Sequence, residues 1–281
     1  MPAPTEHYAT RAAFFLTLAR AFAPPREPAV AAAFRDDLPL DLEEMAGELG
    51  YDIGGAAVQL REAAAGIEGP DALLRLYSGL FLTPPVPVHL NAAIYLDGAV
   101  LGHAAFEIEQ WYARHGFVRQ AAFHDLPDHV TAELEFVFLL FNRAAEAMVA
   151  GDSMQALALA AEARRFLAAF PRRWIQGLRP GLEQTCRERD LPPVYPALAE
   201  ALEAAVLAEI AQDPSTTPEA AVSALPAGSN RGFGAPTAED LAEIAVKLEE
   251  NGLDFAHVRA RPEWDEAVYE KRKAVEPGPG R

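Results

Sequence analysis

One short stretch gathers most of the side chains that could do chemistry: His124, Asp125, Pro127, Asp128, His129, Glu133 and Glu135. His129 and Glu133 are four residues apart. On a helix that makes them neighbours on one face, within hydrogen-bonding reach. Such a pair could serve as a general base, or as part of a metal or tetrapyrrole site in a helical enzyme. It could equally form an exposed acidic and imidazole lip beside an apolar helix, suited to a cationic peptide. The plainest reading is a helix N-terminus, with Pro127 in its first turn and carboxylates placed at the positive end of the helix dipole. Tyr77 and Phe81, also four apart, read first as core and second as site. Trp111, Trp174 and Cys186 read as core. His103 and His115 fall on helix surfaces or a helix end, and Arg164-Arg165 and Arg172-Arg173 on solvated faces.

Other chemistries lack their residues. The three lysines, Lys247, Lys271 and Lys273, all lie in the last 35 positions, so no lysine precedes them for a Schiff base or a phosphate-binding loop. G-x-S-x-G and H-E-x-x-H are missing. So is any Glu-x-x-His, the pair that a helical di-metal carboxylate centre takes from each of two helices. Gly232-Phe233-Gly234 has no strand before it and is not a dinucleotide fingerprint. One cysteine excludes a disulfide framework and any multi-cysteine metal site.

The elements that would position the cluster are helical throughout. Tyr8, Ala12, Phe15, Ala19 and Phe22 recur at helical spacing until Pro24 and Pro25 stop them. Asp41 with Glu44 reads as a capping box opening a short helix to Leu49. Pro70 and Asp71 start a helix over 72–81, and Pro84, Pro85 and Pro87 then force an extended connection. Longer helices are expected over about 99–115, 127–150, 153–170 and 196–212, with a shorter piece over 174–189. In the 127–150 helix the apolar face widens through Phe136, Phe138, Leu139 and Leu140, which places it in the middle of a bundle. Strand and hairpin signals are nearly absent. The expected fold is all-α: one helical bundle over 1–212, a linker over 213–236 rich in Pro, Ser, Gly and Ala, and a helical extension over 237–281. In that extension Leu241, Ile244 and Leu248 mark an amphipathic helix ended by Gly252, and Trp264 and Tyr269 mark a packed tail.

The 281 residues are 51% hydrophobic and 23% charged, with a formal charge of -17. That balance is globular, and its sign repels nucleic-acid phosphates. No stretch reaches the roughly 18 apolar residues of a membrane helix. Glu6 and His7 lead straight into a helix, so no cleaved export signal is expected, and the default location is the cytoplasm.

Several segments resemble a known family in order and type. They are Leu76-Tyr77-Ser78-Gly79-Leu80-Phe81, the proline-rich connection, and Ala113-Arg114-His115-Gly116-Phe117. Leu126-Pro127-Asp128-His129-Val130-Thr131-Ala132-Glu133-Leu134-Glu135-Phe136 follows, then Arg165-Phe166-Leu167 and Trp174. Together they resemble the TorD/DmsD family of cytoplasmic maturation chaperones for molybdenum enzymes, to which NarJ is related, over about residues 8–212. The resemblance implies an all-helical, non-catalytic protein that holds the apo catalytic subunit of a molybdopterin oxidoreductase. It also implies binding of that subunit's twin-arginine leader before export. No tightly bound cofactor is implied, only transient contact with the client's molybdopterin guanine dinucleotide. The client-binding residues it implies are Pro127, Asp128 and His129; Glu133, Tyr77 and Phe81 are expected to join them in the binding surface. Physically, a basic and apolar leader calls for an apolar floor with an acidic rim. Exposed charge pairs add only about 0.2–1 kcal/mol each, so the floor would supply most of the affinity.

Overall fold

Prolines and glycines set most of the helix boundaries. A computed structural model describes residues 7–117 and 125–212, and beyond these positions 238, 242, 246, 259 and 265–275. The chain divides into two compact units, 1–222 and 223–281.

The first unit is built from α1 (Tyr8–Phe22), α2 (Pro28–Asp36), α3 (Leu38–Leu49), α4 (Gly54–Ala65), α5 (Pro70–Phe81) and α6 (Ala92–Leu96). It continues with α7 (His103–Arg114), α8 (Val130–Val149), α9 (Ser153–Ala169), α10 (Pro171–Arg189) and α11 (Val194–Ala211). Proline occupies the first or second position of α2, α3, α5 and α10, where its missing N–H has no partner to lose. Gly50 ends α3 in the left-handed region at φ 72°, and the Tyr51 N–H returns to the Ala46 carbonyl. Among the described residues there is no strand, only one isolated antiparallel bridge between Asn91 and His129. The fold is an all-α bundle.

The 20-residue helix α8 lies at its centre. On one side α1 packs against it, with Phe15 stacked on Phe141 at 5.9 Å between ring centroids. On the other side lies α9, whose Phe166 meets Phe136 edge-on at 4.8 Å. Burial of Leu134, Phe136, Val137, Leu140 and Phe141 on a single helix accounts for the wide apolar face seen in the sequence. α11 is buried nearly all round, between α4 and α10.

The structure corrects several sequence expectations. α2, α4 and the short α6 are additional helices. α7 begins at His103 rather than near 99. The first turn of α3 starts at Leu38, so Asp41 lies inside that turn instead of capping it. Pro127 precedes α8, which His129 caps. α10 runs unbroken from Pro171 through Pro180 to Arg189, longer than the piece expected over 174–189.

In the second unit, α12 (Glu266–Val275) carries Tyr269, whose ring centroid is 5.6 Å from both the Arg259 guanidinium and the Lys273 ammonium. The linker expected over 213–236, the helix expected over 237–252 (positions 238, 242 and 246 apart), Trp264 and His124 lie outside the described residues.

Candidate functional site

The Pro127-Asp128-His129 turn fastens two distant parts of the chain to the start of α8. Tyr112 on α7 donates its hydroxyl to the Pro127 carbonyl at 2.9 Å. Asp128 does most of the remaining work. Its carbonyl accepts from the Ala92 N–H at 2.9 Å, and its Oδ2 accepts from the Ala93 N–H, also at 2.9 Å. Its Oδ1 takes a longer bond, 3.3 Å, from the Asn91 amide. The Val130 N–H completes the bridge to the Leu90 carbonyl at 2.8 Å. An aspartate whose carboxylate takes the Ala93 N–H and whose main-chain carbonyl takes the Ala92 N–H is what starts α6, a helix too short to form alone.

His129 closes the N-terminus of α8: its Nδ1 accepts from the Thr131 N–H at 3.2 Å, which leaves the ring proton on Nε2. That nitrogen stands 3.6 Å from Asp125 Oδ2. One turn on, Glu133 Oε2 accepts from the Trp174 indole at 3.0 Å, while Oε1 is buried without a partner. Tyr95 stacks on Trp174 at 5.4 Å and donates its hydroxyl to the His89 carbonyl.

Burial governs the electrostatics here. It raises the Asp128 carboxyl above its ordinary range, partly offset by the bonds from Ala93 and Asn91. It pushes Glu133 well above, against the Trp174 bond. It lowers His129, opposed by Asp125 and Asp128. All three groups are thereby shifted toward their neutral forms.

This arrangement overturns the expected exposed lip. Asp128 is 0% exposed, Glu133 1% and His129 5%, and Pro127 is buried with them. The reasons are long-range contacts that no short-range pattern announced: residues 90–93 lie against Asp128 and His129, Tyr112 against Pro127 and Trp174 against Glu133. Asp125 is the carboxylate of the segment that reaches the surface, its side chain 48% exposed. Glu135 is half-buried. Tyr77 and Phe81 lie in the core, ring against ring at 5.0 Å, with Tyr195 4.9 Å from Phe81. Burial raises the Tyr77 phenol, whose hydroxyl donates to the Phe22 carbonyl at 3.4 Å. Among the described residues no group of three His, Cys, Asp or Glu side chains could hold a metal ion. The buried His129 and Glu133 rings and carboxyls are not placed to meet a diffusing substrate.

A second buried polar group went unread in the sequence. Glu209 on α11, fully buried, accepts from Arg11 Nε at 2.6 Å, from the Tyr51 hydroxyl at 2.6 Å and from Arg164 Nε at 3.0 Å. Both guanidinium groups also donate to the Gln212 amide oxygen. Arg164 is therefore an interior ligand rather than part of a solvated face. This knot is structural: every side chain in it is held by another.

An all-helical bundle with a clasped Pro-Asp-His turn defines a class of protein rather than a reaction. Residues 46–179 match the family model of the nitrate reductase delta subunit, a molybdoenzyme maturation chaperone family. The matched span runs from α3 into α10 and contains Tyr77, Phe81, the 127–133 turn and Trp174. The match supports the likeness to the TorD/NarJ-related maturation chaperones that the sequence resemblance implied. No curated protein and no solved structure matches the chain. Among the described residues no helix is long and apolar enough to cross a membrane.

Proposed function

We propose that this protein is a cytoplasmic chaperone that binds the apo catalytic subunit of a molybdopterin-dependent oxidoreductase and its twin-arginine leader. It holds that client until the cofactor is inserted and export can follow. The family match across 46–179 carries the reading. A charge of -17 supports it, because an acidic surface steers a basic leader toward itself. Asp125 and Glu135 are the carboxylates near the turn that solvent reaches. In this reading Pro127, Asp128, His129, Glu133, Tyr77 and Phe81 belong to the client-binding region, lying beneath its surface while no client is bound. The protein has no tightly bound cofactor of its own and meets the client's molybdopterin guanine dinucleotide only in passing.

The test is calorimetry with a synthetic leader peptide bearing two arginines and an apolar run. Asp125→Asn is expected to weaken binding about two- to fivefold, the size of one exposed charge pair, with helicity unchanged. Asp128→Ala with His129→Ala is expected to weaken it further. Unchanged affinity in both variants would remove this surface from the reading. Co-purification at native expression, read by mass spectrometry, identifies the client.

A further inference from the structure

The chain between α5 and α7 is attached in an unusual way. Apart from five-residue α6 it has no helix of its own. It lies along α10, where Gly177 and Gly181, one turn apart, leave the helix without side chains to interlock. The Tyr95 ring crosses at Gly177, where an added Cβ would stand 3.0 Å from its Cδ1. Val88 sits over Gly181, where the same test gives 3.8 Å. On the α8 side the four hydrogen bonds described above join Leu90, Asn91, Ala92 and Ala93 to the Asp128–Val130 stretch. Its C-terminal end carries two left-handed residues, Gly98 at φ 71° and Leu101 at φ 57°. For leucine that conformation is strained by about 1–2 kcal/mol. The strap is thus laid into a smooth channel, pinned at one turn and tensioned at one end.

Beneath it the chemistry is incomplete. Asp128 and Glu133 are buried carboxyls, and among the described residues neither is paired with a guanidinium or an ammonium. Among the described residues Glu133 Oε1 has no hydrogen-bond partner. Trp174, whose indole meets the other oxygen of Glu133, is buried, as are Ile175 and Leu178 on the same helix.

We infer that residues 83–101 form a displaceable strap, and that an extended cationic and apolar segment of the client enters by taking its place. The entering backbone takes over the bonds offered by Asp128 and Val130, apolar side chains lie along the Gly177–Gly181 face, and a guanidinium supplies the missing partner of the two carboxyls. This rests on the leader-binding reading above and adds to it the gate through which binding occurs.

Two experiments separate the strap from that reading. Hydrogen exchange of the protein alone is expected to show the Ala92, Ala93 and Val130 amides opening together, at least 100-fold faster than Val137 and Leu140 in the middle of α8. Exchange of those three amides as slow as the α8 core would overturn the strap. The second uses Val88→Cys with Gly181→Cys in a Cys186→Ala background. Oxidation is expected to weaken binding of the same two-arginine peptide at least tenfold, and reduction to restore it. Equal binding by the oxidised and reduced forms would also overturn the strap. If the peptide binds neither these forms nor the unmodified chain, the leader reading fails, and exchange alone then decides whether the strap opens.

Discussion

Glu133 is a glutamate with an indole on one oxygen and nothing on the other, and its behaviour with pH follows from that. Its folded pKa lies well above the ordinary 4.5. Between those two values the native state keeps a proton that the unfolded chain releases, so stability falls as pH rises through the window. Glu133→Gln keeps the shape and the Trp174 bond and removes the titration. The melting temperature of the variant is therefore expected to gain on that of the parent as pH climbs from about 5 to about 8. A difference that stays flat across that range would contradict the assignment. His129 acts in the opposite sense: its folded pKa lies below 6.5, so its contribution is complete above 6.5 and is lost on acidification. The residue types of this turn were plain in the sequence, and Pro127 marked a helix start close by, though His129 was not read as its cap. Its burial was not, because Asp128 is covered by residues 35 positions away that short-range spacing cannot register.

At the scale of elements, legibility tracked the size of the buried side chains. α1 and α8 carry Phe and Leu at regular intervals and were readable. α4 buries mostly alanine, and the nine-residue α2 buries Ala31 and Phe34 alone among its described side chains, too little periodicity to separate from a loop. α6 was illegible for a different reason: its start depends on the Asp128 carboxylate rather than on anything within it. The start of α7 shows the same borrowing. Asp97 Oδ2 accepts from the Ala104 N–H at 2.8 Å, and a Cβ on Gly102 would collide with that carboxylate. Gly102→Ala is expected to displace the cap and cost about 1 kcal/mol. Asp97→Ala should cost a similar amount, and the double variant little more than either. Full additivity in chemical denaturation would show that the two residues act separately.

Across the whole molecule, the Glu209 knot joins α1, the turn after α3, α9 and α11. Removing its centre leaves Arg11 and Arg164 without their shared carboxylate in the interior, and such a loss costs about 3–5 kcal/mol. Glu209→Ala is expected to lower the unfolding free energy, measured by chemical denaturation, by that amount, while Glu200→Ala, at a half-exposed position on the same helix, should lower it far less. Equal losses would show that the knot is ordinary surface pairing. The Arg11–Glu209 bond also spans 198 positions of sequence. During synthesis Arg11 must wait for those intervening residues to be made before its counter-charge arrives. Until then α1 has its apolar face ready and its ionic partner still unmade, so the knot closes only once α11 exists.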